Sequence, residues 1–256
     1  WSAVGLSLCI SIGFENFQKM LDGAASMDKH FRSAPVHANM PMLLALIGVW
    51  NRNFCGHQAI SVVPYDDYLS LFPAYMQQLD MESNGKSVTR DHEYALYPTG
   101  PVVIGSKGTN AQHAYFQLLH QGSDIVPCDF IAFAKSQSPL SDHHKKLLAN
   151  MLAQSKALMD GLDHEQPEKA FEGGRPSNII VADELTPYTL GMLLALYEHK
   201  IFVQGVVWNI NSFDQCGVEL GKKLANNIID ANSPLEMSTD SSTSGVLSFL
   251  SQKKFS

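Results

Sequence analysis

The residue types able to do chemistry fall into three short runs. The first, Met81–Lys86 (MESNGK), packs a carboxylate, a hydroxyl, an amide, a glycine and an ammonium into six residues. Glu82 is a candidate general base for removing a proton next to a carbonyl, work that a positioned carboxylate can do. The competing reading is a solvated turn, because Asn-Gly is a strong turn signal. The second run, Gly105–His113 (GSKGTNAQH), follows an apolar strand candidate and opens a helical stretch, where backbone amides can face an anion. It matches neither G-x-G-x-x-G nor the Walker pattern, so a nucleotide site has no support. His113 falls early in that helix, where a lone histidine also reads as a packed or surface residue. The third run is Phe213–Lys222 (FDQCGVELGK). If it is helical from about Asp214, Gln215, Glu219 and Lys222 stand on one face at i, i+4 and i+7, and Gly217 and Gly221 leave a groove beside them. Lys222 could then reach a substrate oxygen; the plainer reading is an exposed Glu219–Lys222 pair. His113 with His120, and His143 with His144, lack the spacing of a zinc motif, so no metal site is expected.

These runs need a scaffold, and the hydrophobic pattern describes one. The first third reads as helices over Trp1–Ile12, Phe14–Phe31 and Pro41–Trp50. Apolar strands follow at Gln58–Tyr65, Val102–Ile104, Cys128–Phe133 and Asn178–Ala182, separated by helical stretches at Tyr68–Leu79, Asn110–His120 and Ser141 to about Met159. Ser141 is an expected N-cap, and Thr186 with Pro187 forms a cap and N1 pair opening a helix over Tyr188–Tyr197. Short, nearly all-apolar strands alternating with helices predict a parallel sheet covered on both faces, with ligands beyond the carboxyl ends of the strands. Ser238–Ser244 reads as a turn or flexible connection before a last short helix.

Composition narrows the function classes. The 256 residues are 45% hydrophobic and 17% charged, which excludes disordered, collagenous and low-complexity chains. A net charge of −7 with no basic cluster argues against nucleic acid and anionic membrane surfaces as partners. Cys9, Cys55, Cys128 and Cys216 form no C-x-x-C pair and read as buried thiols of a reduced, cytoplasmic protein. The uncharged stretch from Ser33 to Asn51 has too short an apolar part to span a bilayer and reads as a buried helix. The sequence begins at Trp1 with an apolar stretch that lacks signal-peptide features, and a truncated or processed product is the expected explanation.

Taken in order, MESNGK, GTNAQHA, SDHHKKLL, FEGGRPSN, TPYTLGMLLALYEHKIFVQG and FDQCGVELGK closely resemble the glucose-6-phosphate isomerase family over nearly the whole chain. The resemblance implies an α/β sugar-isomerase (SIS-type) layered fold, a five-stranded parallel sheet flanked by helices, present twice per subunit of a homodimer. It implies cofactor-free interconversion of glucose 6-phosphate and fructose 6-phosphate through a cis-enediol. Glu82 matches the family's base. His113 matches the histidine that assists ring opening and comes from the partner subunit, and Lys222 matches the lysine acting on the ring oxygen or its hydroxyls. Gln78 and Gln215 match substrate-contacting glutamines.

The same resemblance makes residues 1–52 a helical segment from the inter-domain region and 53–256 the carboxyl-terminal sugar-isomerase domain with a helical tail. In the family a Gly-Gly-Arg segment, whose arginine stabilises the enediolate, precedes the tryptophan matched by Trp1, and an amino-terminal domain holds the substrate phosphate. Both are absent from this sequence, so the piece is expected to be nearly inactive alone. Leu79 stands where a glycine is common and Cys216 where a tryptophan is. The alternative is a non-catalytic sugar-phosphate sensor of the same fold, which would not need the Glu82, His113 and Lys222 set.

Overall fold

The computed structural model describes residues 4–138, 141–230 and 240–252. They belong to two compact units that divide between Phe213 and Asp214.

In the first unit four strands, β1 (Ala59–Pro64), β2 (Val102–Gly105), β3 (Cys128–Lys135) and β4 (Ser177–Glu184), pair in parallel in the order β2-β1-β3-β4. The predicted parallel sheet is therefore present, with four strands among the described residues rather than the five that the resemblance implies. Successive strand side chains point to opposite faces. Val62, Ile131 and Phe133 accordingly enter one core, and Val63, Cys128, Phe130 and Ala132 the other.

Helices cover both faces. The short α1 (Gly5–Ile12) buries none of its residues, and Val4, Leu6 and Ile10 are exposed. α2 (Phe14–Ser33), α3 (Met40–Val49), α4 (Phe72–Gln77) and α8 (Pro187–Val207) pack on the first face through Met27, Leu44, Phe72 and Leu196. α5 (Gly108–Ala114), α6 (Phe116–Gln121) and α7 (Ser141–Asp160) cover the second face through Ala111, Phe116, Leu119 and Met151. This is the expected α/β layered fold. α3 is the expected buried helix, with Leu44, Ala45 and Val49 in the core.

Several element boundaries differ from the pattern reading. One helix was predicted over Asn110–His120, but the backbone leaves helical geometry at Tyr115, whose hydroxyl lies 3.2 Å from Ser61 Oγ under the sheet. α8 continues ten residues beyond Tyr197, because its mid-helix charge, Lys200, is buried rather than marking an exposed end. Thr186 caps it as predicted, its Oγ1 accepting from the Thr189 amide at 3.1 Å. α8 has the length and apolarity to cross a membrane, yet it packs against α2 and α3 and buries Lys200 and Gln204, as a core helix does.

The second unit holds α9 (Glu219–Asp230) and α10 (Ser241–Gln252). Ser241–Ser244 is helical rather than a turn, with Asp240 Oδ1 accepting from the Thr243 amide at 2.9 Å. Trp1–Ala3 of the first expected helix, Ser238 of the expected turn and the side chain of the expected cap Ser141 lie outside the described residues.

Candidate active site

Glu82 closes an irregular piece of helix. α4 passes without a break into a π-helical turn, Gln78–Glu82, a wider winding that in proteins occurs often at functional sites. On this turn Gln78 and Glu82 are exposed while Asp80 is fully buried. The turn thus presents two polar side chains outward and drives one carboxylate inward. MESNGK is not the solvated Asn-Gly turn that its composition allows. Ser83 and Asn84 are buried; Asn84 Nδ2 donates to the Ile201 carbonyl at 3.1 Å, and Asn84 Oδ1 accepts from Ser212 Oγ at 2.6 Å. A side chain at Gly85 would put its Cβ 2.3 Å from the Met81 carbonyl oxygen, so only glycine lets the chain leave the helix there. Lys86 Nζ donates to the carbonyls of Glu82 at 2.6 Å and Ser83 at 2.9 Å, closing helix-end acceptors with a cation.

Behind the turn lies a charged cluster that motif reading missed. Lys200 Nζ of α8 donates to Asp80 Oδ2 at 3.3 Å, with both side chains buried, and Asp80 Oδ1 has no partner. Burial pushes the Asp80 carboxyl above its ordinary range, the Lys200 ammonium draws it back, and the nearby Asp129 charge pushes it up again. Asp129 is itself buried, accepting from Tyr197 Oη at 3.0 Å and Asn178 Nδ2 at 2.8 Å. Burial and the Asp129 charge hold the Tyr197 hydroxyl well above its ordinary value. The sequence signal was a charge among apolar neighbours: Leu79-Asp80-Met81 and Lys200-Ile201-Phe202.

His113 is exposed on α5. The glycines ahead of it serve packing rather than an anion cradle. A Cβ at Gly105 would meet the Val62 carbonyl oxygen at 2.4 Å, and one at Gly108 would meet the Tyr65 ring at 2.5 Å. Lys107 pairs with Asp67, and Gln112 Nε2 donates to Tyr65 Oη at 2.9 Å. Lys107, Asn110, Ser136 and His143 line a crevice of about 450 Å³ past the carboxyl ends of β1, β2 and β3, where open parallel sheets bind ligands.

Glu82 is not at that edge. A helix following a parallel strand runs back along it, so its first turn lies at the carboxyl edge and its last at the amino edge. α5 begins beside the crevice, whereas the π turn ends beside Gly100, two residues before β2 starts, where Gly100 N donates to the Asn84 carbonyl at 3.0 Å. Lys200 and Gln204, late in α8, likewise line a small cavity with Ala59 and Pro127, at the amino starts of β1 and β3. Glu82 and His113 therefore stand toward opposite ends of the sheet, and the six residues of β1 alone span about 20 Å at ~3.3 Å per residue. The expectation that ligands lie beyond the carboxyl ends of the strands therefore does not hold for Glu82, which stands toward the amino edge.

In the second unit Gln215 precedes a 3₁₀ turn, Cys216–Val218, and α9 starts only at Glu219. Gln215 thus does not share a helix face with Glu219 and Lys222. Lys222 is exposed and donates to Glu219 Oε1 at 2.8 Å, the plain i,i+3 pair. Added Cβ atoms at Gly217 and Gly221 meet nothing within 4 Å.

The fold defines the class: an α/β protein whose parallel sheet is covered by helices on both faces. Comparison with known proteins takes this further. The sequence model described as phosphoglucose isomerase matches residues 1–247, and the chain belongs to that family. A glucose-6-phosphate isomerase of Deinococcus deserti is 52% identical over 265 aligned positions, covering 96% of this chain and 48% of the relative. The crystal structure of a glucose-6-phosphate isomerase from Chlamydia trachomatis superposes with a TM-score of 0.84 at 46% identity, over 94% of this chain and 47% of that one. A hypothetical protein from Thermus thermophilus, TT0462, shares the fold at a TM-score of 0.65 and 23% identity, over 83% of this chain and 50% of that one. The chain spans about half the length of the relatives it matches.

Proposed function

We propose that this chain supplies the carboxyl-terminal share of an aldose–ketose isomerase that interconverts glucose 6-phosphate and fructose 6-phosphate. The observation that carries this reading is the π turn, which turns Glu82 and Gln78 outward while Asp80, Ser83 and Asn84 beside them are buried, in a chain of the phosphoglucose isomerase family. Glu82 as a carboxylate takes the proton from C2 of the open-chain aldose, giving a cis-enediol, and returns a proton to C1. A hydroxyl proton shifts between O2 and O1, so no oxidant, reductant or cofactor is consumed. His113 and Lys222 assist ring opening, and Gln78 and Gln215 hold sugar hydroxyls. Residues 53–256 would form the carboxyl-terminal sugar-isomerase domain and 1–52 the segment leading into it.

A homodimer follows from the same reading. With Glu82 and His113 toward opposite ends of one sheet, a sugar held by both needs them from two copies. On this reading the chain alone is nearly inactive, because groups that hold the phosphate and the enediolate lie outside it, and loss of one such donor costs about 10²–10³ in rate. Four unpaired cysteines support a cytoplasmic setting.

The test is Glu82→Gln in the full-length protein. Turnover is expected to fall about 10²–10⁴-fold, and fructose 6-phosphate in D₂O should cease to gain deuterium at C1. Wild-type turnover in this variant would remove Glu82 as the base.

A further inference from the structure

Glu82 is bracketed. Asp80, two residues before it, and Asn84, two residues after it, are both 0% exposed. Both reach the same step of α8: Asp80 Oδ2 accepts from Lys200 Nζ at 3.3 Å, and Asn84 Nδ2 donates to the carbonyl of Ile201, the next residue, at 3.1 Å. Ser212 Oγ fixes the other end of the Asn84 amide at 2.6 Å. Between these two inward anchors the chain has one exposed acidic side chain, Glu82.

The arrangement is costly for a purely structural device. A buried carboxylate–ammonium pair is commonly no more stabilising than an apolar pair of the same volume, because both ions lose their water. Here the cost is higher still, since Asp80 Oδ1 has no partner. An ion pair does offer direction, for it allows one register of the elements that it joins. Register is what this site lacks by itself, because a π turn is a departure from the α-helix that the backbone prefers and needs outside contacts to persist. A general base, in turn, works only when held within hydrogen-bond reach and at the right angle to the C–H bond that it breaks.

We infer that the buried Asp80–Lys200 pair and the Asn84 anchor are positioning residues, which fix the π turn on α8 and so aim the Glu82 carboxylate at its substrate. The inference rests on the reading of Glu82 as the proton-transfer base. Neither Asp80 nor Lys200 touches the sugar, since both are sealed from solvent.

The test compares full-length wild type with Asp80→Leu/Lys200→Met, which removes both charges together and leaves neither uncompensated. The double variant is expected to keep its unfolding midpoint and its KM for fructose 6-phosphate while kcat falls about 10–100-fold, the scale of a reacting group displaced by roughly 1 Å. Amide exchange in a peptide spanning residues 78–86 should quicken. A folded double variant with wild-type kcat overturns the inference. Glu82→Gln is measured beside it. If that variant is dead while the double variant is fully active, only positioning is refuted; if Glu82→Gln turns over normally, the base reading falls and the inference with it. Should the double variant not fold, Ser212→Ala, which removes only the hydroxyl holding Asn84, is measured in the same way. A several-fold lower kcat at constant KM supports the inference, and an unchanged kcat overturns it.

Discussion

Cys128 is the one buried thiol among the four cysteines; Cys55 and Cys216 are exposed and Cys9 is partly covered. Sequence composition gave all four the same buried reading, since cysteine is on average a small hydrophobe and no local pattern says which thiol meets the core. Burial, and then the neighbouring Asp129 charge, push the Cys128 thiol up to about 12. The thiolate is the reactive form, so at pH 8 only about one Cys128 in 10⁴ is reactive. A maleimide or disulfide reagent at pH 8 is expected to modify Cys55 and Cys216 in the native protein and Cys128 only after denaturant is added, as mapped by peptide mass spectrometry. Labelling of native Cys128 at the rate of Cys55 would refute its burial. The linkage has a definite sign. The folded pKa is raised, so this contribution to stability is complete below the unfolded thiol's value and is lost as pH climbs toward 12. The candidate site shows the same limit of local reading. Glu82 stood out in a short polar string, whereas Gln78 was named only through the family resemblance. The Asp80–Lys200 pair was not legible, because its members are 120 residues apart and only the folded chain joins them.

The helix that carries Lys200, α8, is fixed on α2 by close backbone contact. α2 and α8 meet through two glycines: a Cβ at Gly23 would lie 1.9 Å from the Tyr188 carbonyl oxygen, and one at Gly191 2.0 Å from that of Met20. Backbone oxygens cannot swing aside as a side-chain tip can, so either alanine must force the helices apart. Gly23→Ala and Gly191→Ala are each expected to destabilise by about 1–3 kcal/mol through overpacking, outweighing the gain of up to ~1 kcal/mol in helix propensity. Thermal unfolding should show this as a loss of roughly 2–4 °C per kcal/mol. Gly221→Ala in α9 provides the opposite sign, since its Cβ meets nothing within 4 Å and only propensity changes. A midpoint raised by Gly23→Ala or Gly191→Ala would contradict the crossing described. Periodicity identified these helices as elements but not their ends. α8 was expected only to Tyr197 but runs to Val207, past Lys200, whose burial only the fold reveals, and α9 was expected from about Asp214 because the FDQ string carries no visible break before the 3₁₀ turn.

At the scale of the molecule, strand and helix alternation made the parallel sheet legible, but it could not say which sheet edge each polar run would reach. That depends on how long each return helix is and where it ends. The result, Glu82 toward the amino edge and His113 toward the carboxyl edge, has a consequence that mixing can measure in the proposed dimer. Suppose that every site takes Glu82 from one subunit and His113 from its two-fold mate. Full-length Glu82→Gln and His113→Ala are then each dead as homodimers, whereas a mixed dimer holds one site with both lesions and one site with none. Random reassortment of equal amounts makes half of the dimers mixed, so activity should recover to about a quarter of wild type. If each subunit supplied both residues to its own site, mixed dimers would stay as dead as their parents. A coupled assay before and after co-refolding of the two variants, with a differential tag to verify that mixed dimers formed, separates the two arrangements. Recovery near a quarter assigns the two ends of the sheet to two different sites; no recovery, with mixed dimers present, means that the opposite-edge geometry is not how the proposed isomerase builds its site.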